Sequence, residues 1–203
     1  MAPTREGLIA ELRRYVDDER VLAAIASVPR DVFVPERRGR SAWANEALPI
    51  GSGQTISQPL VVAHMCELLR VQDGDRVLDV GTGSGYHAAI LAELGGRVWS
   101  IERDPELSEQ AARNLVAAGF RGIRLVVGDG TRGHPEAAPY DAINVAASAR
   151  GAIPDALVDQ LAPGGRLVIP VGERLVIVRR DRAGALSRSD AGGVRFVPLV
   201  PGT

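Results

Sequence analysis

The stretch Val77-Leu78-Asp79-Val80-Gly81-Thr82-Gly83-Ser84-Gly85 concentrates the chemistry of this 203-residue chain. A short apolar run delivers an acid, and three glycines then alternate with small polar residues. Such a turn bares the backbone at the carboxyl end of a strand, where open α/β sheets bind ligands. The dinucleotide fingerprint G-x-G-x-x-G requires glycine at position 86, where Tyr86 stands. A tight turn without function would need only the glycines. The coincidence of acid, glycines and flanking pattern favours a ligand site. Glu102 follows the next apolar run, Val98-Trp99-Ser100-Ile101, where doubly wound folds place a carboxylate for ribose hydroxyls. Alone, Glu102-Arg103-Asp104 reads as a solvated turn; after the glycine loop it reads as a ribose acceptor. Gly128-Asp129-Gly130 repeats the arrangement after a third run. There an adenine contact and a plain turn fit equally well.

These residues need a scaffold, and the apolar spacing outlines one. Residues 4–27 carry Leu8, Leu12 and Val16, then Val21, Leu22 and Ile25, at helical spacing, broken at Asp17-Asp18 into two short helices. Residues 30–58 read as an extended loop punctuated by Pro35, Pro49, Gly51 and Gly53, yet too apolar for a linker. Helices are expected at 60–69, 86–94, 105–118 and 154–161. Strands are expected at 76–80, 97–101, 123–127, 141–145 and, after a Pro163-Gly164-Gly165 turn, 166–171. Residues 174–179 and 194–199 read as a closing strand pair around a polar turn. Alternating strands and helices predict an α/β fold: a Rossmann-like, doubly wound, mostly parallel sheet with an antiparallel edge and a small N-terminal helical cap. At about 150 residues per domain the length predicts one domain. It divides into helices and an active-site loop (1–59), a cofactor-binding core (60–172) and C-terminal strands (173–203).

Composition narrows the chemistry. The 24 basic and 25 acidic residues leave a net charge of −1, against the basic footprint of a nucleic-acid or membrane-surface binder. All basic residues are arginine, which excludes Schiff-base chemistry and a phosphate-binding Walker lysine. Cys66 stands alone, and His64, His87 and His134 show no metal-ligand spacing, so no metal is expected. His64 and Cys66 read as structural, and the Arg37-Arg38-Gly39-Arg40 cluster as a solvated face. Without an apolar leader or a long apolar run, a cytoplasmic monomer is expected.

Leu48-Pro-Ile-Gly-Ser-Gly-Gln-Thr-Ile-Ser-Gln-Pro59 is more specific than the glycine loop. With Val28-Pro-Arg-Asp-Val-Phe-Val-Pro35, Asp79 to Tyr86, Ser100-Ile-Glu-Arg103, Gly128-Asp-Gly130, Ala138-Pro-Tyr-Asp141, 163–172 and 194–199, it resembles the protein-L-isoaspartate O-methyltransferases over nearly the whole chain. The resemblance implies methyl transfer from S-adenosylmethionine, leaving S-adenosylhomocysteine, to the α-carboxylate of L-isoaspartyl residues in damaged proteins or peptides. It implies Ser57 as the active-site serine. It also implies Gln54, Thr55, Asp79, Gly81, Thr82, Gly83, Glu102, Asp129 and Gly130 as cofactor positions. Thr55, Ile56, Ser57, Val197, Pro198 and Leu199 would line the peptide site. A carboxylate is already ionised at neutral pH, so no general base is required, and Ser57 orients rather than attacks. Residues 146–152 and the short tail after Gly172 depart from the family pattern and bear on substrate choice. Two other readings stay open: a methyltransferase maturing one specific ribosomal peptide, and a catalytically silent S-adenosylmethionine-binding module.

Overall fold

The computed structural model describes residues 2–201, without the side chains of Arg37 and Arg38, so that part of the basic cluster lies outside the described residues. Two short helices open the chain. In α1 (Arg5–Leu12) the Thr4 hydroxyl accepts from the Gly7 amide, and in α2 (Glu19–Ser27) the Asp18 carboxylate accepts from the Arg20 amide. Each side chain satisfies an amide that the first turn leaves without a helical partner. Further on come α3 (Pro59–Leu69), α4 (Tyr86–Glu93), α5 (Pro105–Ala117, capped by Asp104) and α6 (Asp155–Asp159).

A small antiparallel hairpin, β1 (Leu48–Gly51) and β2 (Gln54–Ile56), precedes the main sheet. The seven-stranded sheet consists of β3 (Arg76–Val80), β4 (Arg97–Glu102), β5 (Arg124–Val127), β6 (Tyr140–Val145), β7 (Leu161–Val171), β8 (Arg174–Arg180) and β9 (Leu186–Gly193). Their order is β5-β4-β3-β6-β7-β8-β9, parallel through β7 and antiparallel beyond it. The chain winds outward from β3 through β4 to β5, then returns to β6 on the other side. The direction therefore reverses between β3 and β6, the crevice where such sheets hold ligands.

Central strands bury both faces, so they read as apolar runs rather than alternations. Val77, Ala142 and Val168 face one core with Leu12, Ile25, Met65 and Leu91. Leu78, Ile143 and Leu167 face the other with Tyr140, Leu157 and Val178.

Three expectations need correction. Residues 30–58 are not featureless loop: they hold two 3₁₀ turns (Arg30–Phe33 and Glu36–Ser41) and the β1–β2 hairpin, whose tip is formed by Gly51, Ser52 and Gly53 at positive φ. Prolines mask a strand at Pro49, which a hairpin edge tolerates because no inner partner needs its amide. Residues 163–165 are no free turn but part of β7, in a bulge where the register jumps from Tyr140↔Leu161 to Ala142↔Arg166. Residues 194–199 form no strand. The polar segment 186–193 takes the sheet edge instead, since an edge needs no apolar face. After Val194 the chain leaves the sheet and lies beside Ser148, where the Ser148 amide donates to the Val197 carbonyl and the Leu199 amide to the Ser148 carbonyl, both at 2.7 Å.

Candidate active site

A cavity of about 530 Å³ opens at the carboxyl ends of β3 and β4. The loop Gly81–Ser84 forms its floor, with Gly81, Gly83 and Gly85 all at positive φ. A side chain at Gly85 would also press on Leu115 at 3.1 Å, so both the turn and the packing require glycine. Glu102 enters from the end of β4, Gly130 from beyond β5 and Ala146 from beyond β6. The β2 strand with Ser57 closes one side, and Val197, Pro198 and Leu199 another. Ile50 of the hairpin reaches to 3.5 Å from where a Cβ on Gly83 would sit, so β1 roofs the glycine loop.

Glu102, only 7% exposed, anchors that loop: one carboxylate oxygen accepts from the Gly83 amide at 3.0 Å, the other from the Asp104 amide at 3.1 Å. A carboxylate has further lone pairs, so a diol entering the cavity still finds an acceptor. A second cavity of about 760 Å³ lies behind β2 and is shared with the first at Thr55, Ser57, Ala146 and Val197. Its outer wall carries Glu173, Arg195 and Phe196. Ser57 thus stands at the passage between two chambers.

The chain matches the model of the protein-L-isoaspartate(D-aspartate) O-methyltransferase family over residues 3–203. A protein-L-isoaspartate O-methyltransferase from Methanoculleus marisnigri is 53% identical over 192 residues, covering 92% of this chain and 86% of its own. A second, from Marinobacter nauticus, is 51% identical over 192 residues, 92% and 87% of the two chains. The chain belongs to this family. Solved members agree in fold. One protein-L-isoaspartate O-methyltransferase superposes with a TM-score of 0.85 at 28% identity over 96% of this chain, which spans 65% of that longer one. The Plasmodium falciparum member, solved with S-adenosyl-L-homocysteine, gives 0.83 at 26% identity over 97% and 98% of the two chains.

Within this family member, Gln54, Thr55, Gly81, Thr82, Gly83, Glu102 and Gly130 line the first cavity together with Ile56, Ser57, Val197, Pro198 and Leu199. Two expected cofactor positions do not. Asp129 turns its carboxylate back to its own loop, accepting from the Thr131 amide at 2.9 Å and the Thr131 hydroxyl at 2.7 Å. Asp79 is fully buried beneath the glycine loop, where the Ser100 hydroxyl and the Asn144 amide each donate to it at 2.7 Å. The Thr82 hydroxyl meets Ser100 at 2.7 Å, tying the loop to this buried carboxyl.

The Asn144 amide also faces His87 Nδ1 at 3.2 Å, and His87 Nε2 faces the Cys66 sulfur at 3.5 Å. Burial pushes the Asp79 carboxyl up to about 6 and the His87 imidazole down to about 4. Burial likewise raises the Cys66 thiol far beyond reactivity. Among the described residues, no group of three or more His, Cys, Asp or Glu could hold a metal ion. No helix among them is long and apolar enough to cross a membrane.

Sequence reasoning assigned no role to Arg30, Ser100 or Asn144, and weighed His87 only as a metal ligand. Asn144 had left a signal, as a polar residue inside the apolar run Ala142-Ile-Asn-Val145.

Proposed function

We propose that this chain transfers a methyl group from S-adenosylmethionine to the α-carboxylate of L-isoaspartyl residues in damaged proteins and peptides, as a repair enzyme. The observation that carries the reading is Ser57, set at the passage between a cavity with nucleoside-type acceptors and a second cavity open to a peptide. When bound in the first cavity, S-adenosylmethionine supplies a methyl already activated by its sulfonium. Glu102 accepts from the ribose hydroxyls while Gly81, Thr82, Gly83 and Gly130 offer bare backbone. Asp79 and Asp129 act indirectly, the first by stiffening the glycine loop through Ser100, the second by shaping the turn that presents Gly130. Gln54 and Thr55 border the same ligand. Thr55, Ser57 and Val197, which border both cavities, hold the peptide together with Ile56, Pro198 and Leu199 on the first-cavity side of the passage. The Ser57 hydroxyl donates to one carboxylate oxygen and so aims the other; alignment is the main catalytic contribution. Residues 1–203 act as one unit, as a cytoplasmic monomer that engages neither nucleic acid nor membrane.

Replacing Glu102 with Ala removes a charged acceptor, and charge-assisted hydrogen bonds contribute about 1.5–3 kcal/mol. S-adenosylhomocysteine should bind E102A at least about tenfold more weakly by calorimetry; unchanged affinity in a folded variant would reject the ribose assignment. S57A should divide the two chambers functionally. It should lower the rate of methyl transfer while S-adenosylhomocysteine affinity stays within about twofold, because the Ser57 hydroxyl is assigned to the acceptor carboxylate while the donor's ribose is held by Glu102. A methylated Ser57 found on the reaction path by mass spectrometry would overturn the orienting role. Methyl transfer to isoaspartyl peptides of varied flanking sequence is the direct test of repair.

A further inference from the structure

Behind Ser57 lies a charge that the reading above does not use. Arg30 is completely buried, at 0% exposure, in the 3₁₀ turn after Pro29. Its guanidinium donates to three backbone carbonyls, those of Ala42 (2.9 Å), Glu46 (3.3 Å) and Ser57 (2.8 Å), and stacks over the Tyr86 ring at 4.8 Å. Among the described residues no carboxylate lies within ion-pair distance of it. Arg30 Nη1 and the Tyr86 hydroxyl, both buried, make no well-formed hydrogen bond among the described residues, although the two side chains interact with each other, and Tyr86 lines the first cavity. Desolvation lowers the guanidinium pKa, but an arginine starts too high to lose its proton.

A buried cation without a counter-ion is costly, and three carbonyls would accept equally from a neutral donor. The charge itself therefore calls for an account. Its Nη2 touches the carbonyl of the residue proposed to meet the substrate carboxylate. The amino end of α3 starts two residues later, at Pro59, with no acid in its first turn, and adds a partial positive charge on the same spot.

We propose that Arg30 is a positioning and charge-selecting residue: it fixes the Ser57 backbone and, from behind it, favours a carboxylate over a neutral group in the acceptor chamber. The inference rests on the repair reading, because it needs an anionic acceptor. It gives the chamber a direction. An isoaspartyl carboxylate enters with its charge matched, and the methyl ester formed there is neutral and loses that attraction. Even at an effective dielectric constant of about 20, unit charges several ångströms apart shift an equilibrium by more than tenfold.

The test compares binding of one isoaspartyl peptide as the free α-acid and as its α-methyl ester, by calorimetry on the full chain saturated with S-adenosylhomocysteine. High ionic strength screens Arg195, the exposed cation on the rim of the acceptor chamber, and Arg103, which lines the donor cavity, while leaving the buried charge effective. The wild-type chain should prefer the acid by about tenfold or more. R30Q should bring the two affinities to within about threefold of each other, mainly by weakening the acid, while R30K keeps the preference at lower overall affinity. A purely structural Arg30 would weaken acid and ester equally in R30Q, and that result overturns the proposal. If R30Q fails to bind S-adenosylhomocysteine, the wild type and R30K decide: equal binding of acid and ester by the wild type, or no preference in R30K, overturns it as well. A wild-type chain that neither binds nor methylates any isoaspartyl peptide defeats the repair reading itself, a distinguishable result.

Discussion

An isoaspartyl peptide should be methylated at least about 100-fold faster than its normal aspartyl twin. In isoaspartate the free carboxylate sits on the α-carbon and the chain runs on through the side chain. The carboxylate arm is thus shorter than in aspartate. The acceptor chamber can measure that arm because its walls are fixed. On one side Ile56 and Thr55 pair with Leu48 and Pro49 across the hairpin, and Arg30 holds the Ser57 carbonyl. On the other, Val197 is tied to Ser148. An aspartyl carboxylate would reach one bond too far, and misplacement by about 1 Å costs about two powers of ten in rate. Paired kcat/KM measurements on synthetic peptides check this. Equal rates on the two isomers would reject repair, and activity confined to one unmodified partner peptide would favour a dedicated maturation enzyme.

The second large effect concerns acid stability. Folded Asp79 holds its proton to about 6 against 3.8 for an ordinary carboxyl, so its contribution is complete below pH 3.8 and is lost as pH rises through 6. His87 runs the other way. Its folded value near 4 lies below the ordinary 6.5, so its contribution is complete above 6.5 and is lost as pH falls through 4. At 1.36 kcal/mol per pKa unit each is worth about 3 kcal/mol, and between pH 4 and 6 they oppose one another. D79N leaves His87 unopposed and should lose about 3 kcal/mol relative to the wild type on going from pH 6.5 to 4. H87Q should gain by a similar amount over the same range. Urea unfolding at a series of pH values reads both. Parallel pH profiles for the wild type and the two variants would contradict the opposition of these groups.

The legible parts of the molecule were those where local pattern and tertiary role coincide. β3 was read from its apolar run at its observed bounds because a central parallel strand is buried on both faces. Glu102 and the glycine loop were readable because their work is done by backbone geometry at a strand end. The tail misled because apolar content at 194–199 marks the wall of a chamber, whereas the true edge strand is polar. Arg30 was invisible for a different reason. Arginine in a loop between prolines ordinarily faces water, and only the long-range approach of Ala42, Glu46 and Ser57 turns it inward. Asp79 was legible as the acid of the motif, but its burial beneath the loop was not, because its partners Ser100 and Asn144 come from two neighbouring strands.

The attachment of residues 197–199 to Ser148 has a kinetic side. Among the described residues two backbone hydrogen bonds, both to Ser148, and the packing of Leu199 on the core join this wall to the rest of the fold, and no sheet ladder continues them. Such a segment can detach as a small cooperative unit while the seven-stranded sheet stays intact. Opening of this shared wall is thereby uncoupled from global unfolding. Because Val197, Pro198 and Leu199 also wall the first cavity, the same opening would admit a bulky protein substrate at Ser57 and release the spent cofactor, while the closed segment holds the geometry in which methyl transfer occurs.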